Sequence, residues 1–238
     1  MNNSVNGEEL MRFQKMTRTL LLALCLATPS MVYGEVVADS VADWSADGTQ
    51  GADGWTYGFY DATNDGNGAY DVADFQAFAG PDWNWTGSAW DFGGGNVPWT
   101  TVNQEGGHPN GDNNDVIHYA VRRWESDVAG PVDVTVNLAA QNVNGGGGTT
   151  ALLFHNGMEV LSSTVGGTDG VGTVSMASFS VAPGDTLDLA LSPENLDGTF
   201  GDGSDGSFYG MQVSLVPEPS SIVLALSGLL LLPRRRRR

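Results

Sequence analysis

The sequence predicts an all-β fold, an antiparallel sandwich formed by the middle of the chain. Three observations support this prediction: short segments that alternate apolar and polar residues, glycine- and proline-rich turns between them, and the lack of a convincing helical period. The chain has 238 residues, among them 33 glycines and 7 tryptophans. Its middle part, residues 35–215, is long enough for one domain with a full hydrophobic core.

Strands are hard to place in the first half of this body. Alternating aromatic residues at positions 55–60 predict one strand, whereas residues 71–79 fit either a short helix or another strand. The apolar segment 116–124, which carries two arginines, predicts a central strand. In residues 132–138, valine and leucine alternate with polar residues, so one face is expected to be buried and the other wet.

The second half of the body is clearer. Asn156 and Gly157 form the strongest short hairpin signal and join the predicted strands 151–154 and 158–162. Strand 173–181 follows, and a Pro-Gly-Asp turn leads to strand 186–191. The last predicted strand spans residues 208–215. Its expected inward residues are Tyr209, Met211, Val213 and Leu215.

The two ends of the chain predict export. Three basic residues, Arg12, Lys15 and Arg18, precede the apolar run 20–27, which is typical of a secretory signal peptide ending near Gly34. The single cysteine lies inside that run, so the exported body has no disulfide.

The C-terminal segment has three parts in a fixed order. Pro217, Glu218 and Pro219 form a short polar box, an apolar run spans 222–232, and the chain ends in Arg234, Arg235, Arg236, Arg237 and Arg238. Residues 216–233 would form about 27 Å of helix, just short of a bilayer's apolar core of roughly 30 Å, so a single transmembrane helix can barely span it. The arginines are expected to stay on the cytoplasmic side.

This order resembles the PEP-CTERM sorting signal of bacterial exosortase substrates. The resemblance implies a signal peptide at 1–34, a body at 35–215 and a sorting signal at 216–238. It also implies that an exosortase recognises the Pro217–Pro219 box and cleaves near it. The protein would then be anchored in the inner membrane for a time and later reside at the cell surface or outside the cell. Its body loosely resembles the jelly-roll ectodomains that often precede such tails, through residues 120–124 and 181–185.

The charge of the body restricts its partners. The whole chain has a formal charge of −18, and its body has only two bases, Arg122 and Arg123, against about 25 acidic residues. Such a surface repels nucleic acid and anionic lipid and attracts divalent cations.

The two arginines are neighbours on a predicted strand, so they point to opposite faces. One of them is therefore expected inside, where an arginine needs a carboxylate partner. We predict that Arg122 and Arg123 serve a structural ion pair, with a clamp for an acidic sugar as the alternative.

Two further groups of residues suggest binding sites. Trp83, Trp85 and Trp90 lie in a turn-rich segment and could form an aromatic platform for a carbohydrate, although large aromatic residues more often belong to a core. Asn195, Asp197, Asp202 and Asp205 place oxygens on a glycine-rich loop, a pattern that suits calcium. The alternative for this loop is a solvated acidic turn.

No motif predicts catalysis. The sequence has no nucleophile elbow, zinc-protease helix or phosphate loop, and its three histidines are spread along the chain. We therefore predict a non-enzymatic, exported module that associates with extracellular polysaccharide. A purely structural envelope or biofilm protein is the alternative, and a glycan-active enzyme is a third.

Overall fold

The computed structural model describes residues 34–79, 83–92 and 95–217, without the side chains of Trp83 and Asn84. These residues form two antiparallel sheets packed face to face. They include no α-helix, only short 3-10 segments at Ala52–Gly54, Val72–Asp74 and Asp112–Asn114. The predicted all-β antiparallel sandwich is therefore confirmed.

In chain order the described strands are β1 (Val36–Asp39), β2 (Trp55–Asp61), β3 (Gln76–Ala77), β4 (Trp83–Trp85), β5 (Ala89–Phe92), β6 (Thr101–Asn103), β7 (Gly106–His108), β8 (His118–Glu125), β9 (Gly130–Ala140), β10 (Thr149–His155), β11 (Met158–Val165), β12 (Thr173–Val181), β13 (Thr186–Ser192) and β14 (Ser207–Leu215). The larger sheet has the order β12-β9-β14-β7-β6-β5-β4, and β1 also pairs with β14. The smaller sheet has the order β11-β10-β13-β8-β2-β3.

Local sequence patterns account for most of these strands. The segment predicted at 173–181 is β12, and the one at 55–60 is β2 with one more residue. Asn156 and Gly157 join β10 to β11 with φ values of 50° and 80°, the left-handed conformation that a tight hairpin turn requires. The ambiguous segment 71–79 forms a 3-10 turn followed by the two-residue strand β3.

The main core lies between the two sheets, where inward-facing residues of both meet. Alternate residues of β13 and β14 are buried there, as their sequence pattern predicts. The largest fully buried side chains include Trp55, Tyr57, Trp124, Leu138, Leu153, Leu187, Leu189, Leu191, Tyr209 and Met211.

A second, smaller core covers the outer face of the smaller sheet. Tyr60, Leu152 and Phe154 point away from the main core, and Tyr70 and Phe75 from the segment between β2 and β3 pack over them. This segment therefore forms a partial third layer, which explains why residues 71–79 fit a short helix and a strand equally well.

Arg123 fastens this third layer to the sheet. Its guanidinium binds both carboxylate oxygens of the fully buried Asp188, at 2.6 and 2.8 Å, and also donates to the Val72 carbonyl at 3.0 Å. The Tyr70 hydroxyl donates to Asp188 at 2.7 Å. Burial and the Asp188 charge raise the pKa of Tyr70, which keeps this hydroxyl a donor. Arg123 thus has the carboxylate partner that its burial requires.

Arg122 departs from the prediction of an ion pair. It is fully buried between the sheets, and no carboxylate among the described residues lies at ion-pair distance. Its guanidinium instead donates to three backbone carbonyls, those of Ser40 (3.2 Å), Asn103 (2.6 Å) and Gly106 (3.1 Å). It also lies over the rings of Trp44 and Tyr209, 5.7 and 4.6 Å from their centroids. Carbonyl dipoles and aromatic faces take the place of a counter-ion.

Replacing Arg123 with methionine tests the role of the outer ion pair. Arg123→Met leaves the Asp188 charge buried without its partner, so the free energy of unfolding should fall by about 3 to 5 kcal/mol. Urea unfolding followed by tryptophan fluorescence measures this change. The matched variant is Arg123→Met with Asp188→Asn, which also removes the orphaned charge and should lose less than the single variant. Equal losses in both variants would show that the charge pair is not the cause.

Candidate functional site

Three connections meet at the end of the sandwich where β8, β10 and β14 begin. They are the β7–β8 segment 109–117, the glycine-rich β9–β10 loop 141–148 and the β13–β14 segment 193–206. A hydrogen bond of 2.8 Å between the Thr149 and Ser207 hydroxyls, at the starts of β10 and β14, ties the two sheets together there. We call this region the loop end.

The loop end brings together three of the four residues predicted to bind calcium. Asn195, Asp202 and Asp205 are only 9%, 4% and 2% exposed. Asp197 is not part of this cluster, because its exposed side chain accepts hydrogen bonds from Thr199 in a local turn. The inclusion of Asp197 was therefore wrong, and sequence proximity alone had suggested it.

Asp202 connects the cluster to the β7–β8 segment. Its carboxylate accepts from the Gly111 backbone N–H at 2.9 Å and from the Asn114 side-chain amide at 2.9 and 2.8 Å. The Asp202 N–H in turn donates to Asn113 at 3.0 Å. Two segments far apart in sequence are thus held together by one carboxylate.

Asp205 and Asn195 are different, because their buried oxygens lack donors. No donor reaches either carboxylate oxygen of Asp205, or Oδ1 of Asn195, with hydrogen-bond geometry. Burial, and then the nearby Asp202 charge, raise the pKa of Asp205 to about 7, and the Gly148 N–H, which is near Asp205 but outside hydrogen-bond geometry, opposes this shift only in part. A buried acceptor without a hydrogen bond lowers the stability of the folded protein. The cluster therefore contains negative and polar oxygens whose charge no donor among the described residues balances.

The glycine-rich loop between β9 and β10 packs directly on these oxygens. A Cβ on Gly147 would clash with the Asn195 amide, and a Cβ on Gly146 would clash with the Gly203 carbonyl and approach Asp205 Oδ1. Gly146 also has a φ of 94°, which favours glycine. The glycine run therefore closes the cluster, a role that the sequence analysis did not assign to it.

Within the described residues, no group of three or more histidine, cysteine, aspartate and glutamate side chains is placed to hold a metal ion. The loop-end cluster instead combines two carboxylates with one amide oxygen, and backbone carbonyls lie close by. An all-oxygen set of this kind suits a hard cation and gives little affinity for zinc or copper.

The structure contradicts the predicted aromatic platform at Trp90. Trp90 is only 9% exposed and belongs to the main core, next to Phe78. Trp85 packs on that core, with its ring 5.4 Å from the Trp90 ring and 6.0 Å from the Trp44 ring. The Trp90 ring is therefore not available to a sugar, whereas the Trp85 ring is half-buried. The side chain of Trp83 lies outside the described residues.

Trp99 is the tryptophan that the described part of the chain exposes, at 41%. It lies at the loop end, just before β6, beside the half-exposed Val97. No sequence signal distinguishes Trp99 from the other tryptophans, because it follows a proline in a short segment without alternation.

A chain of hydrogen bonds links Trp99 to the acidic cluster. The Trp99 N–H donates at 2.8 Å to the side chain of the fully buried Asn110, which donates in turn to the Val116 carbonyl at 2.5 Å. The next residue, Gly111, is bound to Asp202. The position of the exposed ring therefore depends on the segment that Asp202 holds.

The histidines do not form a common site among the described residues. His118 lies between Thr100 (3.2 Å) and Asp61 (3.8 Å), an order of groups that resembles a nucleophile, base and acid. Thr100 is fully buried, however, so its hydroxyl cannot meet a substrate. His155 instead contacts Asp185 at the opposite end of β10.

The predicted signal peptide, residues 1–34, and sorting signal, residues 216–238, fall outside the described residues except for Gly34, Val216 and Pro217. Glu218, Pro219 and Arg234–Arg238 are therefore not described. Within the described ranges no helix is long and apolar enough to cross a membrane.

No protein-family model matches the sequence, and no curated protein does either. Among solved structures, a family 35 carbohydrate-binding module from Clostridium thermocellum is 12% identical, with 41% of this chain and 72% of that chain covered and a TM-score of 0.29. A CBM35 from Paenibacillus barcinonensis is also 12% identical, covers 73% of this chain and 98% of its own, and has a TM-score of 0.30.

A carbohydrate-binding module of lichenase 5A from Cellvibrio mixtus, in complex with cellotriose, is 10% identical over 76% of this chain and 99% of that chain, with a TM-score of 0.30. Likenesses this distant do not assign a function to this chain.

The difference in burial between Trp90 and Trp99 predicts different losses of unfolding free energy when each is replaced by alanine. Trp90→Ala removes a packed core ring and should lower the free energy of unfolding by about 3 to 5 kcal/mol. Trp99→Ala removes an exposed ring and should lower it by about 1 kcal/mol or less. Thermal and urea unfolding of both variants check this. A large loss for Trp99→Ala would place its ring in the core instead.

Proposed function

We propose that this protein is an exported, non-catalytic module that associates with extracellular polysaccharide through the loop end. The observation that carries the proposal is the exposed ring of Trp99, while Trp90 is buried and Trp85 is half-buried against the core. A tryptophan face can stack on the apolar face of a sugar ring, and its rigid side chain loses little conformational entropy on binding.

The charges of the body favour a neutral polysaccharide. Its two bases are already engaged, Arg122 inside the sandwich and Arg123 with Asp188. An acidic sugar would therefore meet no free cationic side chain on a surface that is itself strongly acidic. This reasoning also removes the sugar-clamp alternative for the two arginines.

The sorting signal supplies the proposed location. A Pro-Glu-Pro box, an apolar run and terminal arginines in this order support anchoring in the inner membrane, processing by an exosortase and release of the body to the cell surface or the extracellular matrix. The alternative is a structural envelope or biofilm protein without a specific ligand, which the following experiment separates from the binding module.

Affinity electrophoresis tests the role of Trp99. In gels that contain neutral polysaccharides, or the extracellular polysaccharide of the producing cells, the protein should be retarded and Trp99→Ala should not be. Met158→Ala is the control, because Met158 is an exposed apolar residue, at 72%, but lies at the start of β11, at the opposite end of the sandwich. It should remain retarded. Equal migration of the native protein and Trp99→Ala in every gel would favour the purely structural role.

Processing of the precursor tests the sorting proposal. Glu218→Ala removes the acidic residue of the recognised box, and deletion of Arg234–Arg238 removes the cytoplasmic stop. Both changes should leave export intact but block cleavage, so uncleaved precursor should accumulate in the membrane fraction on immunoblots. Normal cleavage of both variants would contradict the exosortase proposal without affecting the polysaccharide proposal.

A further inference from the structure

We propose that one calcium ion binds at the loop end between Asn195, Asp202 and Asp205 and that it holds the three loop-end segments together. This proposal goes beyond the proposed function and does not depend on it. It rests on buried oxygens that have no donor, rather than on the number of acidic residues.

A bound cation would balance the negative charge of the cluster and would coordinate its buried oxygens that accept no hydrogen bond. Both oxygens of Asp205 and Oδ1 of Asn195 are buried acceptors without a hydrogen bond, and the body has no lysine and no arginine other than Arg122 and Arg123, which act elsewhere. Glycine at positions 146 and 147 lets the backbone approach so closely that no side chain can enter from that side. A small ion fits where a basic side chain does not.

The kind of ligand points to calcium rather than to another metal. Carboxylate and amide oxygens are hard ligands, and the cluster contains neither histidine nor cysteine. Calcium accepts six to eight oxygens in flexible geometry, so carboxylates, an amide and nearby backbone carbonyls can share it. Magnesium demands a more regular octahedron and retains its water, which a buried cluster accommodates poorly.

The ion would act on the loops that surround it. Asp202 already holds Gly111 and Asn114, Asn195 belongs to the β13–β14 segment, and the glycine loop packs against Asn195 and Asp205. Neutralising the two carboxylates removes their mutual repulsion, so all three segments become more stable together. Through Gly111 and Asn110, the same effect reaches the segment that carries Trp99.

Thermal unfolding of the full-length chain, first in excess chelator and then in millimolar calcium, tests the proposal. At about 100 times its dissociation constant, calcium should raise Tm by roughly 5 to 10 °C. Calorimetric titration of the calcium-free protein should give one ion per chain. Magnesium at the same concentration should raise Tm much less.

Two aspartate variants locate the ion. Asp205→Asn keeps the shape of the side chain but removes its charge, so this variant should unfold at a higher temperature than the native protein in chelator and should lose most of the calcium effect. Asp197→Asn is the matched control, since Asp197 lies on the same segment outside the cluster, and this variant should keep the full effect of calcium on Tm.

The site would be refuted if calcium left Tm unchanged, if magnesium or sodium chloride raised Tm equally, or if Asp205→Asn responded to calcium like Asp197→Asn. Because no polysaccharide is present, none of these outcomes bears on the role of Trp99.

Discussion

A positive charge with no carboxylate at ion-pair distance in the described ranges lies at the centre of this sandwich. Arg122 belongs to β8 of the smaller sheet, yet its guanidinium donates to backbone carbonyls of Asn103 and Gly106 in or beside the larger sheet and to that of Ser40 next to β1. An arginine cannot discharge by losing its proton. The carbonyls and the faces of Trp44 and Tyr209 must therefore solvate it, and the two sheets must keep the separation that permits this.

The next residue along β8 organises the other side of the same sheet. Neighbouring residues on a strand point to opposite faces of the sheet. Arg122 therefore lies between the two sheets, and Arg123 lies on the outer face of the smaller sheet. It pairs with Asp188, and Tyr70 and Val72 close over the pair. Arg122 thus contacts backbone carbonyls in the space between the two sheets, and Arg123 contacts a buried carboxylate beneath the third layer. Two adjacent residues therefore stabilise both regions of packing.

The loop end buries negative charge, whereas the centre of the sandwich buries the positive charge of Arg122. There the chain buries oxygens without donors, and small residues press the backbone against them. Other buried polar atoms of the described residues also lack a partner, in Trp55, Tyr57, Trp90, Arg122 and Thr186, but Asp205 is the residue among them that carries a carboxylate, the most costly group to leave unsatisfied. The same end carries the exposed Trp99, whose backbone N–H donates to Asn110, the neighbour of the Asp202-bound Gly111.

The sequence by itself determined the β-sandwich, because a period of two in segments such as 132–138 and 186–191 can bury one face only in a sheet. Asn156-Gly157 likewise specified its hairpin through backbone conformation alone. The order of residues at the two ends predicted export and sorting without reference to the fold.

Tertiary structure decided which side chains contact one another. Trp83, Trp85, Trp90 and Trp99 look alike in sequence, and only packing against the core separates Trp90 from Trp99. Asp197 and Asp205 look alike too, but burial depends on contacts with residues 111–114 and 146–148, far away along the chain, and no local pattern encodes such contacts.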